Sequence, residues 1–185
     1  MKANPRDIRA AVDRPSPQCR LFLFHGPDGS TAADLATRLA AAFGTAAERI
    51  DLDGSTLRSD PARLSDEAAS LSLFGGARYI RVSPAGEECL DAFGALLSAD
   101  QAGNPVIALA PTIKSTAKIL KLANESPLAL TIACYEPSAQ EAEKIAVTLA
   151  RDAGLRPVGD AARRLVAAAG GDRAVMAQEI TKLAL

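Results

Sequence analysis

The chain has 185 residues, of which 48% are hydrophobic and 23% charged, a composition that excludes a disordered tail. Its 21 basic and 22 acidic residues give a net charge of -1, which argues against a protein that holds nucleic acid through its overall charge. No apolar run approaches the roughly 20 residues of a membrane span, and the first residues lack the apolar core of a signal peptide. We therefore expect a cytoplasmic protein without a membrane contact.

Cysteine and histidine are too few and too widely spaced for a metal site. The three cysteines, Cys19, Cys89 and Cys134, form no C-x-x-C pair, and their odd number disfavours a disulfide framework. The one histidine, His25, follows a predicted strand, where a turn residue is expected rather than a catalyst. We expect free thiols, no metal and no cofactor.

The first part of the chain alternates short apolar runs with helical patterns, which is typical of an α/β fold. Strands are predicted over residues 20–24, 49–52, 78–82, 105–110 and 129–134. Helices are predicted over residues 30–43, 60–71, 87–97 and 115–124. Asp28 or Ser30 is expected to cap the first helix, and Asp60-Pro61 to start the second. The prediction is a three-layer domain over residues 1–137 with a five-stranded, mostly parallel sheet.

After residue 137 only helical patterns remain, over residues 138–153, 159–169 and 172–185. Glycines at positions 154, 170 and 171 separate them, and Ser138 with Glu141 matches a capping box. We predict a small three-helix domain over residues 138–185. The last pattern continues to the final residue without a stop, so we expect a further domain to follow.

Residues 26–31 read Gly-Pro-Asp-Gly-Ser-Thr and connect a strand to a helix, the place of a P-loop. A working P-loop needs a lysine, yet no lysine lies between positions 2 and 114. The strand over residues 105–110 is followed by Pro111-Thr112 instead of the acidic pair that holds Mg²⁺. The loop is either a degenerate P-loop that does not bind ATP or a plain turn. Its residues are Gly26, Asp28, Gly29 and Ser30.

A second motif, Ser70-Leu71-Ser72-Leu73-Phe74, lies directly before two glycines. It resembles the pentapeptide Gln-Leu-Ser/Asp-Leu-Phe that binds the bacterial DNA sliding clamp, with Ser70 in place of the glutamine. The motif predicts a clamp contact through Leu71, Leu73 and Phe74. The alternative is that Leu71 and Phe74 only fasten a helix end to the sheet.

Beyond this motif, the stretches Leu23–Asp28, Ser72–Arg78 and Glu179–Leu183 extend the match. The whole chain resembles the N-terminal and middle portions of the delta subunit of the bacterial DNA polymerase III clamp loader. The resemblance implies an AAA+-type domain without a working ATP site, a three-helix lid, and a collar domain absent from this chain. It also implies that the chain has no enzymatic activity of its own. The polymerase holoenzyme to which such a subunit belongs is a nucleotidyltransferase. The implied partners are the sliding clamp, the gamma/tau and delta prime subunits, and primed DNA through the assembly.

Three lysines, Lys114, Lys118 and Lys121, are spaced to share one face of the helix after the fourth strand. They form either a solvated face or a contact with a partner or with the DNA backbone. Two other functions stay open at this point. One is a P-loop-like nucleotide phosphotransferase with an atypical site, and the other is a DNA-binding module.

Overall fold

The computed structural model describes residues 8–72 and 75–184. The chain divides between Cys134 and Tyr135 into two compact units. This division lies close to the boundary at residue 137 that the change of sequence pattern indicates.

The first unit contains a five-stranded sheet. Its strands are β1 (Leu21–His25), β2 (Glu48–Leu52), β3 (Arg78–Val82), β4 (Val106–Ala110) and β5 (Ala129–Ala133). Their order is β2-β3-β4-β1-β5, and every neighbouring pair is parallel. The prediction of a mostly parallel five-stranded sheet is confirmed.

Six described α-helices surround this sheet. They are α1 (Ile8–Asp13), α2 (Gly29–Phe43), α3 (Gly54–Ser59), α4 (Ala62–Ala69), α5 (Leu90–Ser98) and α6 (Lys118–Glu125). A 3-10 turn over Glu87–Cys89 precedes α5.

Alternate residues of β1, an interior strand of the sheet, pack into two separate cores. Phe22 and Phe24 face one side together with residues of α1 and α2. Leu21 and Leu23 face the other side with residues of α3, α4, α5 and α6. Both sides of β1 are therefore covered, which explains why its sequence is almost entirely apolar. The result is the predicted three-layer α/β architecture.

The helix predicted over residues 60–71 covers only Ala62–Ala69 in the structure, and its predicted start is wrong. Asp60 instead ends α3, where its N–H donates to the carbonyl of Thr56 at 3.0 Å. Pro61 takes the N-cap position of α4 without a side-chain hydrogen bond, and the helix ends at Ala69. The motif that begins at Ser70 thus follows the helix and is not part of its last turn.

The second unit consists of helices α7 (Ala139–Asp152), α8 (Ala161–Ala168) and α9 (Arg173–Leu183). Ser138 and Glu141 form the predicted capping box at the start of α7. Ala146, Ala169 and Met176 make the buried centre of this unit. None of the helices in the described part of the chain is long and apolar enough to cross a membrane.

Candidate functional site

The loop after β1 uses its own N–H groups for internal hydrogen bonds. The N–H groups of Gly26, Asp28 and Gly29 donate to carbonyl oxygens at 3.4, 3.1 and 2.9 Å. The first two acceptors lie at the end of β4 and just after β5, so the loop is tied to both neighbours of β1. A P-loop offers such N–H groups to phosphate. Here they already have protein acceptors.

Asp28 is the N-cap of α2. Its carboxylate accepts a hydrogen bond from the N–H of Thr31 at 2.9 Å. Ser30, the other candidate for the cap, lies inside the first turn of the helix. A negatively charged side chain therefore stands at the helix N-terminus, the position that attracts phosphate in nucleotide-binding folds.

Gly26 is fixed by steric demands as well as by its hydrogen bond. Its φ angle of +119° is one that other residues rarely adopt.

His25, predicted to follow the strand, is instead the last residue of β1 and is buried. Among residues 8–72 and 75–184, no three histidine, cysteine or acidic side chains come together as a metal site would require.

The clamp-like motif begins directly after α4. Leu71 is 89% exposed, more than any other large hydrophobic residue in the described ranges. The interpretation that Leu71 fastens the helix end to the sheet is therefore wrong. Leu73 and Phe74 lie outside the described residues. On the far side, the N–H of Gly75 donates to the carbonyl of Ser72 at 3.2 Å.

Ser70, the first residue of the motif, is held by one residue of β3 and by one residue that precedes β4. Asn104 Nδ2, just before β4, donates to the carbonyl of Ser70 at 2.8 Å. The guanidinium of Arg78, at the start of β3, donates to the hydroxyl of Ser70. The hydroxyl itself donates to the carbonyl of Glu67 at 2.8 Å. We call Arg78, Asn104 and Ser70 the α4 clasp.

The arginine of the α4 clasp is largely buried and lies between two carboxylates. Its Nη2 lies 3.6 Å from Glu67 Oε2, and its Nε lies 2.9 Å from Glu48 Oε2, although that N–H is not directed at an acceptor. The side chain of Arg78 is only 12% exposed, against 52% for Glu48. Arg78 and Asn104 could not be identified from the sequence, because no local pattern joins the end of α4 to the start of β3 and to the segment before β4.

The three candidate lysines do not share one helix. Lys118 and Lys121 belong to α6, but Lys114 precedes it, so the predicted common helix face is wrong for Lys114. The reason is that the helix begins only at Lys118, four residues after Lys114. All three are exposed.

Their surroundings carry both signs of charge. Lys114 and Lys118 line a shallow cavity of about 550 Å³ together with Glu87 and Glu88. Nζ of Lys121 lies 3.9 Å from Oε1 of Glu125. A mixed surface attracts phosphate backbone less than a purely basic one does.

No protein-family model matches this chain, and no curated protein matches it in sequence. Its fold is similar to that of the Bacillus subtilis DNA clamp loader delta protein (YqeN), with a TM-score of 0.68, 17% identity, and coverage of 97% of this chain and 55% of that one. The Thermotoga maritima RuvB Holliday junction branch migration motor is also similar, with a TM-score of 0.52, 14% identity, and coverage of 97% and 61%. The predicted AAA+-type fold is confirmed. The chain spans less than two thirds of the length of these proteins.

Proposed function

We propose that this chain is part of a clamp-loader delta subunit that binds the DNA sliding clamp and helps to open it in the cytoplasm. The observation that carries the proposal is the position of Leu71. It is 89% exposed and begins the apolar part of a clamp-binding-like motif at the end of α4. The similarity of the fold to a clamp loader delta protein over 97% of the chain supports the same assignment.

An apolar motif of this kind has enough burial energy for a specific contact. Burying one leucine or phenylalanine side chain contributes roughly 1.5–3 kcal/mol. Leu73 and Phe74 together would contribute about 3–6 kcal/mol, which corresponds to an affinity gain of about a hundred- to ten-thousand-fold. Leu71 is the described part of this surface, and its exposure in the unbound chain is what a partner-binding residue requires.

The chain itself is proposed not to hydrolyse ATP. Its loop after β1 has no lysine, its N–H groups bind carbonyl oxygens, and Asp28 places a carboxylate at the helix N-terminus. Hydrolysis would then belong to the neighbouring gamma/tau subunits, with delta prime completing the assembly on primed DNA. The exposed lysines Lys114, Lys118 and Lys121 are candidates for a contact with a partner or with DNA in that assembly.

The decisive experiment measures binding of the chain to the immobilised sliding clamp of the same organism. Leu73→Ala with Phe74→Ala should abolish binding and leave the melting temperature nearly unchanged. Leu183→Ala is the matched control, because this leucine of the second unit is also largely exposed, at 71%, and should not affect clamp binding.

Different outcomes separate the proposal from its rivals. A large stability loss in the double variant with residual clamp binding would contradict the docking role of the pair. Thermal stabilisation by ATP and Mg²⁺ would favour a nucleotide phosphotransferase. Strongly salt-dependent DNA binding by the chain alone would favour a DNA-binding module.

A further inference from the structure

We propose that Arg78 and Asn104 are positioning residues that hold the clamp-binding segment ready for its partner by fixing Ser70. This inference rests on the proposed function, because the segment that is positioned is the one proposed to bind the clamp. It assigns a role to two residues outside the motif.

Asn104 ties the end of α4 to the start of β4. Its backbone N–H donates to the carbonyl of Ala68 at 2.9 Å, and its Nδ2 donates to the carbonyls of Glu67 at 2.9 Å and Ser70 at 2.8 Å. The last carbonyls of a helix have no partner inside the helix. One asparagine thus supplies three donors to the end of α4 and the residue that follows it.

Arg78 supplies the second attachment, to the start of β3. Its guanidinium donates to the hydroxyl of Ser70 and is itself located by the carboxylates of Glu48 and Glu67. With 12% exposure, this side chain has little freedom to swing into solvent. Ser70 is therefore fixed from two places, the start of β3 and the segment that precedes β4.

The attachments end where the exposed part of the motif begins. Ser70 is bound through its carbonyl and its hydroxyl, whereas the next residue, Leu71, is 89% exposed. Leu71 gains no fixed position from its own packing. The α4 clasp thus fixes the residue from which the exposed part of the motif leaves the helix.

The departure of the motif from its usual first residue is explained by the same contacts. The hydroxyl of Ser70 donates to Glu67 and accepts from Arg78. Its one donor and one of its two acceptor positions are therefore used within the chain, which supports a positioning role for Ser70.

A pre-positioned segment binds more tightly because less freedom is lost on binding. If the segment is ready only part of the time, the apparent Kd rises in proportion. The loss of one or two hydrogen bonds of the α4 clasp should therefore weaken clamp binding by about three- to ten-fold.

The test compares Asn104→Ala and Arg78→Met with the unchanged chain at a temperature where all are folded. One readout is the Kd for the sliding clamp of the same organism. The other is the rate at which thermolysin cleaves between residues 70 and 75, which requires no clamp. We expect a Kd about three- to ten-fold higher and a faster local cleavage. Arg78→Lys should restore part of the affinity, since it keeps the charge.

Asn124→Ala is the matched control, because Asn124 accepts a hydrogen bond from Thr131 at 2.7 Å far along the chain from the motif. It should change stability without changing the Kd. If Asn104→Ala or Arg78→Met lowers only the melting temperature and binds like the unchanged chain, the positioning role is wrong. If the unchanged chain does not bind the clamp, the proposed function is wrong and the positioning role falls with it.

Discussion

The carbonyl oxygen of Cys134 lies so close to Gly26 that a Cβ atom on residue 26 would overlap it. The N–H of Cys134 also donates to the carbonyl of His25 at 2.7 Å, which keeps the end of β5 against the end of β1. Gly26 therefore has two independent reasons to be glycine, its φ angle of +119° and the lack of space. The loop that resembles a phosphate-binding loop is a structural junction of the sheet.

Gly26→Ala should destabilise the protein by about 3 kcal/mol or more, because strain in φ and overlap with a backbone carbonyl add together. Gly29→Ala is the matched control. Nothing lies within 4 Å of a Cβ at residue 29, and alanine favours the helix that starts there. The control should be neutral or stabilising by up to about 1 kcal/mol in urea unfolding. Equal effects of the two changes would contradict this description of the junction.

The sheet could be predicted because its central strands are apolar on both sides. Phe22 and Leu23 face different cores, and both are buried. A strand that is buried on both faces has a continuous apolar sequence, and this run could be recognised. The short helix α3 could not be predicted. Its sequence, Gly-Ser-Thr-Leu-Arg-Ser, contains poor helix formers, and it is stabilised by the N-cap Asp53 and by buried Leu57.

The candidate site could be predicted only where it is local in sequence. The motif at residues 70–74 is contiguous, so its resemblance to a clamp-binding peptide was visible. The α4 clasp joins Ser70 to Asn104, 34 positions away. Such a contact depends on the order of the strands, which sequence patterns alone do not give.

The carboxylate of Asp28 should matter for stability and not for nucleotide binding. Asp28→Ala removes the N-cap of α2 and should cost about 1 kcal/mol in unfolding experiments. The unchanged chain should show no ATPase activity above background and no heat of ATP–Mg²⁺ binding by calorimetry. ATP turnover that disappears in Asp28→Ala would contradict the non-catalytic role.

Leu71→Ala should leave stability within about 0.5 kcal/mol of the unchanged chain, because the side chain is exposed. It should weaken clamp binding by about ten-fold, since one apolar contact is lost. Leu64 in α4 is the comparison, because it is completely buried. Leu64→Ala should cost about 2–5 kcal/mol and act on binding only through unfolding. A Leu71→Ala variant that binds normally would exclude Leu71 from the contact surface.

The three cysteines should be unreactive in the folded chain. Burial raises the pKa of the thiol of Cys19 to about 11 and that of Cys134 to about 12, and it also raises the pKa of Cys89. Since the thiolate is the reactive form, iodoacetamide at pH 8 should modify none of them quickly. Mass spectrometry should find three modified cysteines after unfolding in urea. Fast modification of the folded chain would show that a thiol is more accessible than described.

The capping box at the start of α7 should make the second unit sensitive to acid. The hydroxyl and N–H of Ser138 donate to Glu141 Oε2 at 2.6 and 2.9 Å, and these bonds hold the pKa of Glu141 below its ordinary value of 4.5. A lowered pKa in the folded state means that the unfolded chain binds the proton more tightly. The stabilisation is therefore complete well above pH 4.5 and is lost as the pH falls through the lower, folded pKa.

Ser138→Ala should raise the pKa of Glu141 toward 4.5, because the hydroxyl is the largest cause of the shift. An NMR titration of the Glu141 carboxyl carbon measures this directly. The variant should also be less stable than the unchanged chain at pH 7, by a margin that shrinks once Glu141 is protonated. Thr148→Ala is the control, because it removes a hydroxyl that donates to the carbonyl of Lys144 on the same helix. This variant should leave the pKa of Glu141 unchanged. An unchanged Glu141 pKa in Ser138→Ala would mean that the capping box is not formed in solution.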